Sequence, residues 1–439
     1  MISSVLDRMK AIRLSRAERW MLISFFVVSA ALTVQPVVKT IKEHRGAKDY
    51  DTWDEVSRAV RNDKALYKAG HHAVRDFYYP PAIATLFYTP LSYAGLPGMV
   101  LLLCLFTCLG HLVSLFLSVY FATGQLRAPP RIWLIAFVVG VPFVVDLYFL
   151  GQLNMTLLAV MLCGFLALEK QHPVMAGTLF AMSASAKAFP FSVIGYLVWR
   201  RHWTATISML GALALILVFL PAPVRGFERN WRELCIWTDS MLLHNSGDAL
   251  ANQPTRAFRY GNQTLMSVVH RLTRPLPVGR EDEGDLTVNL IDVSSTTSFL
   301  IFAAIAGSMC LAFVMLMPPR DRRTLETNAI EYCVVLLLIV IFSPKAGSYY
   351  YCWTIPGFTL VASAAMHAPK GSSRRRWIVI GLALSILVMS LALTQNFDRR
   401  PQGMGATLWG AVLLFVTLLG LLWDKRRQLP ASRTVPAGV

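Results

Sequence analysis

Residues 98–122 read GMVLLLCLFTCLGHLVSLFLSVYFA and contain no Asp, Glu, Lys or Arg. A helix needs about 20 apolar residues to cross the roughly 30 Å hydrocarbon core of a bilayer. A backbone in lipid must satisfy its own hydrogen bonds, and the strands of a membrane β-barrel would show alternation instead of a solid apolar run. This stretch therefore predicts a transmembrane helix.

Similar apolar blocks recur along the chain. They lie at about 20–38, 132–150, 153–168, 173–199, 203–221, 298–317, 328–343, 349–366, 377–394 and 404–423. The composition agrees, because 55% of the 439 residues are hydrophobic and only 15% are charged, whereas a soluble domain carries about 25% charged residues. The sequence predicts an all-α, polytopic integral membrane protein with about 12 transmembrane segments.

The block at 173–199 is the one ambiguous segment. As a single crossing it would place Arg200 and Arg201 on the outer side and invert every later loop. Pro190 lacks the N–H that a continuous helix uses, and a buried Lys187 is tolerated only near water or a partner. We therefore interpret the block as two short helices that meet near residues 187–190.

The basic residues set the orientation, since Lys and Arg gather in cytoplasmic loops. The N-terminal residues 1–19 and the tail 424–439 are predicted to be cytoplasmic, with a single transmembrane domain at 20–423 between them. Both long polar loops, about 39–97 and 223–297, then lie on the outer side. Loops of this length usually carry function. The same rule explains the net charge of +17 without a nucleic-acid partner.

Metal and cofactor chemistry is not expected. The chain has no Cys-x-x-Cys pair, no phosphate-binding P-loop and no Ser-nucleophile elbow. Its seven Cys imply no disulfide framework.

Carboxylates open the first outer loop, directly after the first transmembrane segment. They are Asp49, Asp51, Asp54 and Glu55. A carboxylate at the membrane surface can take a proton from an incoming hydroxyl. The alternative is a solvated helix start, where acidic residues are favoured. Residues 53–66 then predict an amphipathic helix on the membrane surface.

Other polar residues stand at the outer ends of apolar blocks. Gln152 and Asn154 either bind a sugar or hold helices together. Lys187 either binds a phosphate or snorkels to the surface, and Tyr79 lies in an aromatic-proline stretch typical of the interface. Lys345 adds a cation before Tyr349–Tyr351. Arginines of the second loop that suit phosphate are Arg225, Arg229, Arg232, Arg256, Arg259, Arg271 and Arg274.

Taken in order, these stretches resemble the polytopic glycosyltransferases of the GT-C class, in particular family 87 (GT87, DUF2029). The motifs that carry the resemblance are Asp49-Tyr50-x-x-Trp53, Ala65-Leu66-Tyr67, Tyr79-Pro80-Pro81, Thr89-Pro90-Leu91, Gly151-Gln152-Leu153-Asn154, Lys187-Ala188-Phe189-Pro190, Trp199-Arg200-Arg201, Asn262-Gln263-Thr264-Leu265 and Ser343-Pro344. Many relatives carry His after the Ser-Pro pair, where this chain has Tyr349–Tyr351. The resemblance therefore does not extend to a His-based phosphate contact there.

The resemblance implies a GT-C-like helical bundle and an inverting transfer on the outer side, from a polyprenyl-phosphate sugar to a hydroxyl of a glycan or glycolipid acceptor. Mannose is favoured, with arabinofuranose left open. Asp49 matches the general base, with Asp51 as the fallback. Lys187, Arg256, Arg259 and Lys345 would bind the donor phosphate. Tyr79, Gln152, Asn154, Asn262 and Gln263 would contact the sugar or shape its cavity. No metal and no cofactor would be required.

Three other functions are compatible with the pattern: a multi-span transporter or lipid flippase, a polysaccharide polymerase or ligase with a diphosphate lipid donor, and a structural scaffold. Transporters bind near the midplane, whereas the polar residues of this chain gather at one predicted face. A transferase is therefore the better prediction.

Overall fold

The computed structural model describes residues 16–46, 48–68, 71–72, 77–125, 128–239, 258–279, 286–396 and 398–428. Arg256, residues 1–15 of the predicted cytoplasmic N-terminus and residues 429–439 of the predicted tail lie outside the described residues.

Fifteen helices form the frame of the described chain. They are α1 (Arg16–Glu43), α2 (Asp49–Arg61), α3 (Gly95–Thr123), α4 (Pro130–Leu150), α5 (Asn154–Glu169), α6 (Pro173–Ala186), α7 (Val193–Trp199), α8 (Trp203–Ala214), α9 (Phe227–Thr238), α10 (Leu265–Thr273), α11 (Ser295–Leu316), α12 (Leu325–Ile341), α13 (Ile355–His367), α14 (Ser373–Ser390) and α15 (Ala406–Gln428).

Shorter elements join them. Single turns or short helices are Pro81–Ile83, Ala84–Tyr88, Thr89–Ser92, Phe189–Ser192, Leu215–Phe219, Ala222–Arg225, Arg320–Arg322, Ser348–Thr354, Leu391–Asn396 and Arg400–Gly403. Two antiparallel strands, β1 (Tyr67–Lys68) and β2 (His71–His72), pair Tyr67 with His72. The all-α class is confirmed, because these two short strands are the only strands among the described residues.

Seven described helices are long and apolar enough to cross a membrane. They are Glu18–Glu43, Gly95–Thr123, Pro130–Leu150, Trp203–Arg225, Ser295–Leu316, Ser373–Leu393 and Ala406–Gln428. Several of them expose apolar side chains on the surface of the protein. In Ser295–Leu316, only 11% of the residues in the most apolar 18-residue stretch are buried. Apolar side chains exposed on so many helices need lipid around them. The chain is a multi-pass membrane protein, and the number of about 12 crossings stays a prediction.

The predicted helix break is present. Helix α6 ends at Ala186, and Lys187 has an extended backbone with φ −142° and ψ 137°. A 3₁₀ turn, Phe189–Ser192, follows before α7 begins. The missing N–H of Pro190 therefore falls within the break.

The bundle has two distinct ends. One end, called the Leu150 end, holds the end of α4, the start of α5 and the end of α6, and the Trp353 indole donates to Asn154 O there at 3.0 Å. At the other end, called the Glu169 end, Asn328 and Tyr332 of α12 donate to Glu169 at 2.7 and 2.6 Å. Polar contacts thus mark both ends of an apolar bundle.

Parts of both predicted outer loops lie at the Leu150 end. Tyr50 of α2 donates through its hydroxyl to Tyr148 O at 2.8 Å. In the second loop, Gln263 N donates to Ala346 O at 2.7 Å, just beyond the end of α12. The described parts of the two loops therefore share one end of the bundle, and the side of the membrane on which that end lies stays a prediction.

The surface helix predicted at residues 53–66 begins and ends four to five residues earlier. Helix α2 spans Asp49–Arg61. Asp49 and Asp51 occupy its first turn, where the helix dipole favours carboxylates. Asp63 has a left-handed backbone with φ 50°, which does not continue a helix.

Candidate active site

Helix α2 is fastened to the turn between α4 and α5. The Tyr50 hydroxyl bonds Tyr148 O, and the Trp53 indole donates to Gly151 O at 2.9 Å. Gly151 has φ +73°, and a Cβ there would lie 2.7 Å from the Tyr50 ring. Only glycine fits both the backbone conformation and the close approach. This docking brings the start of α2 against Gln152.

Four side chains predicted to act at the site form one hydrogen-bonded chain. Gln152 Nε2 donates to Asp49 Oδ2, and Gln152 Oε1 accepts from Lys187 Nζ at 2.6 Å. Asn154 Oδ1 accepts from the same ammonium at 2.6 Å. Gln152 therefore joins a carboxylate to a cation, and Asn154 contacts the same cation. Both predicted roles, holding helices together and lining a site, fit these positions.

Lys187 does not snorkel to the surface. Its side chain is 4% exposed, and its Nζ lies over the rings of Tyr79, Tyr349 and Tyr350 at 5.1, 5.9 and 4.7 Å from the centroids. An ammonium buried without compensation is costly. Two amide oxygens and three aromatic faces supply that compensation.

Tyr79 is part of the same network. Its hydroxyl donates to Gln152 Oε1 at 3.1 Å, and its carbonyl accepts from the Tyr67 hydroxyl. Burial, helped by Tyr350, Tyr349 and Asp49, raises the pKa of Tyr79 well above its usual value. The phenol therefore stays protonated and remains a donor.

Asp51 lies outside this network. Its Oδ1 accepts from Gly46 N, and its Oδ2 lies 3.9 Å from Arg45 Nε. Residues two positions apart on a helix point to opposite sides. The structure thus separates the two candidate bases and brings only Asp49 to Lys187.

Lys345 lies close by. Its Nζ lies 4.2 Å from the centroid of the Tyr78 ring, next to the Tyr79 that faces Lys187. Asn262 fixes the turn before it: its Oδ1 accepts from Ala346 N at 3.1 Å, and its Nδ2 donates to Pro344 O at 3.4 Å.

Gln263 is also committed to the protein. It is fully buried, and its Nε2 donates to Tyr260 O at 2.6 Å and Gln402 O at 2.7 Å. Both amides therefore hold the turn beside Lys345, and their role in contacting the sugar or shaping its cavity stays a prediction.

Three of the six described loop arginines that were considered for phosphate are paired within the protein instead, which corrects the expectation for those three. Arg225 pairs with Glu233, and Arg229 pairs with Asp63. Arg271 is fully buried and donates to Gly403 O at 2.7 Å and Asn262 O at 2.6 Å. Their guanidinium groups hold the loop together, because a buried charge needs such partners.

Arg259 stays among the candidates. It lies in the turn that Arg271 Nη1 fastens by donating to Arg259 O at 2.8 Å. Arg256 lies outside the described residues.

The structure adds Asp146, which the sequence analysis missed. Its Oδ2 accepts from Ser348 Oγ at 3.3 Å, one residue from Tyr349. The signal was available, since Asp146 is the one carboxylate in the apolar block 132–150, and an ionisable residue inside such a block usually has a functional reason.

No group of three His, Cys, Asp or Glu side chains within the described ranges is arranged to hold a metal ion.

Comparison with known proteins identifies the family. Two solved structures of ArnT from Cupriavidus metallidurans, one bound to undecaprenyl phosphate and one in the apo state, are distantly similar, each with 14% identity. Their TM-scores are 0.36 and 0.38, and the alignments cover 93% and 94% of this chain and 78% of each ArnT chain. No curated protein sequence matches. The family model for glycosyltransferase family 87 matches residues 77–344, which is more than half of the chain. The chain therefore belongs to glycosyltransferase family 87.

Proposed function

We propose that this membrane glycosyltransferase moves a sugar from a polyprenyl-phosphate donor to an acceptor hydroxyl on the non-cytoplasmic face, with inversion at the anomeric carbon. Asp49 is the general base, and Lys187 binds the donor phosphate. Mannose is the sugar that the family resemblance favours. The observation that carries the proposal is the hydrogen-bonded chain from Asp49 through Gln152 to Lys187.

Each end of that chain suits one half of the reaction. Asp49 removes the proton of the acceptor hydroxyl while the oxygen attacks the anomeric carbon. The bond from that carbon to the phosphate oxygen breaks, and the leaving polyprenyl phosphate takes up negative charge. The Lys187 ammonium stabilises this charge. A single displacement inverts the anomeric configuration.

Each of the two groups has neighbours that favour its charged form. Asp49 stands in the first turn of α2, where the positive end of the helix dipole favours the ionised carboxylate. An ammonium has three N–H donors, and two of those of Lys187 reach amide oxygens. The Nζ atom also lies over the rings of Tyr79, Tyr349 and Tyr350. A donor phosphate reaches it only when those rings move, because Lys187 is 4% exposed.

The distribution of basic residues supports the non-cytoplasmic orientation. Described clusters at the Glu169 end are Arg200–Arg201, Arg320–Arg323, Arg374–Arg376 and Lys425–Arg427, and contacts such as Arg374 to Asp424 and Lys425 to Glu326 hold two of them together. Basic clusters mark the cytoplasmic side. The Asp49–Lys187 network lies at the opposite end.

The test is a transfer assay with the purified full chain in liposomes. Labelled polyprenyl-phosphate mannose, polyprenyl-phosphate arabinofuranose and a polyprenyl-diphosphate sugar are offered separately. We expect water-soluble or acceptor-bound label only from a monophosphate donor. Product from the diphosphate alone would favour a polymerase or ligase. Lipid crossing the bilayer with its glycosyl bond intact would favour a flippase.

A further inference from the structure

An apolar groove runs along α14 and α15, on the outside of the bundle. Its volume is about 480 Å³, which falls within the range of small-molecule sites. Trp377 and Ile380 line one wall, and Leu413, Val416 and Trp423 line the other. Ile380 and Val416 are 57% and 58% exposed, so the groove opens toward the surroundings of the bundle.

Gly420 forms part of the floor of the groove, where the absence of a side chain lets Trp377 approach the backbone. A Cβ on Gly420 would lie 3.1 Å from the Trp377 ring. The Trp377 ring therefore packs close to the α15 backbone, and the groove lies between Trp377 and Trp423. Trp is enriched where hydrocarbon meets the polar interface.

Arginines lie beside one end of this groove, where Asp424 is the charged residue of its lining. Arg374 Nε lies 3.2 Å from Asp424 Oδ2, which partly neutralises it. The Arg427 guanidinium lies 4.3 Å from the centroid of the Trp423 ring. Arg376 stands four residues before Ile380, so both lie on one helix face. The polar end of the groove thus carries more positive than negative charge.

This cationic end is remote from Lys187. Helix α15 starts beside Gln402, which accepts a hydrogen bond from Gln263 at the Leu150 end, and reaches Lys425, which pairs with Glu326 at the Glu169 end. At 1.5 Å per residue the helix is roughly 35 Å long. A lipid whose phosphate binds Lys187 cannot place that phosphate here.

We propose that this groove binds an anionic glycerophospholipid, with an acyl chain between Trp377 and Trp423 and the phosphate near Arg376 and Arg427. Charge complementarity selects the occupant, because Lys and Arg at a membrane surface attract anionic headgroups and the apolar walls suit a hydrocarbon chain. The site is separate from the donor site and does not depend on the proposed reaction.

Native mass spectrometry of the full chain tests the proposal. Phosphatidylglycerol and phosphatidylcholine with identical acyl chains are added to delipidated protein. We expect phosphatidylglycerol to be retained at least 5-fold more. Arg376→Gln with Arg427→Gln should lower its retention to the phosphatidylcholine level, whereas Arg320→Gln with Arg322→Gln, at the same end but away from the groove, should not.

Val416→Trp adds bulk at the exposed wall and should reduce retention of both lipids. Lys187→Met should leave phosphatidylglycerol retention unchanged. Equal retention of the two lipids by the wild type would overturn the proposal, as would full retention by the double arginine variant. Loss of phosphatidylglycerol in Lys187→Met would assign the lipid to the donor site instead.

Discussion

The Lys187 ammonium and the Asp49 carboxylate share one neighbour, the side-chain amide of Gln152. The amide presents its N–H to the carboxylate and its oxygen to the ammonium. Its dipole therefore stabilises both charges at once, and reversing it would place like partial charges against each other. This relationship links the proposed base to the proposed phosphate contact across a single side chain.

Replacing the base should abolish turnover. Asp49→Asn keeps the shape and the contact with Gln152 but removes the proton acceptor, so transfer should fall about 10²- to 10⁴-fold while donor binding persists. The measurements are initial transfer rates and donor binding in detergent. Asp51→Asn is the matched control and should stay within a few-fold of wild type, because Asp51 faces Arg45. Equal losses in both variants would contradict the assignment.

Removing the buried cation should weaken donor binding. A hydrogen bond to a charged group contributes about 1.5–3 kcal/mol, so Lys187→Met should raise the donor KM by roughly 10- to 100-fold. Lys345→Met should have a smaller effect, since Lys345 is exposed. Steady-state kinetics over donor concentration measure both. The exposed Lys370, at the Glu169 end, provides a control through Lys370→Met. An unchanged KM in Lys187→Met would remove Lys187 from the phosphate site.

Gly151 should tolerate no side chain. In Gly151→Ala the left-handed backbone alone costs about 1–2 kcal/mol, and the new Cβ meets the Tyr50 ring at 2.7 Å. Displacement of α2 moves Asp49, and a shift of about 1 Å can cost about 100-fold in rate. Thermal unfolding and transfer rate are the measurements. Gly195→Ala is the control, because nothing lies within 4 Å of a Cβ there. Wild-type activity in Gly151→Ala would show that this docking does not position Asp49.

Loss of the Glu233 carboxylate should destabilise the first outer loop. This carboxylate pairs with buried Arg225 and accepts from Leu66 N at 3.0 Å. Breaking a buried pair from one side costs about 3–5 kcal/mol, so Glu233→Ala should unfold at lower temperature and be cut faster by protease near residues 62–68. The exposed Glu228 of the same helix is the control, and Glu228→Ala should behave as wild type. Identical melting temperatures for the two variants would argue against a stabilising role of the Glu233–Arg225 pair.

Acid should destabilise the second loop through His270. Burial, helped by Arg274, lowers the pKa of His270 to about 4 from its usual 6.5. Between pH 6.5 and about 4, this imidazole is protonated in the unfolded chain but remains neutral in the folded chain. The contribution of neutral His270 to the free energy of unfolding is therefore complete above pH 6.5 and falls as the pH drops toward 4. Melting temperatures across that range measure the slope. His270→Leu should have a flatter slope than wild type, whereas replacement of the exposed His172 should not change it.

Several site residues could be recognised from the sequence because each is a polar exception in an apolar setting. Gln152, Asn154 and Lys187 stand out in this way, and the structure brings them together. A local sequence pattern also distinguishes Asp49 from Asp51. Asp49 lies four residues before Trp53, so the two share a helix face, and Trp53 is among the residues that α2 buries.

The arginines show where local patterns fail. Seven outward-facing arginines suggested phosphate, yet Arg225, Arg229 and Arg271 bind groups of the protein itself. Arg271 bonds Gly403, which is 132 residues away. Whether a cation faces a ligand or a carbonyl depends on which distant segment packs beside it, and composition does not contain that information.

The sequence by itself determined the membrane class, the apolar helices and the break at Lys187. Those features depend on the length of apolar runs and on single residues such as Pro190, which act through neighbouring backbone. Only the tertiary structure decided that Asp49, rather than Asp51, meets Lys187, because the Asp49–Gln152 contact joins residues 103 apart. Such a contact exists only after helices pack, since packing fixes which helix faces meet.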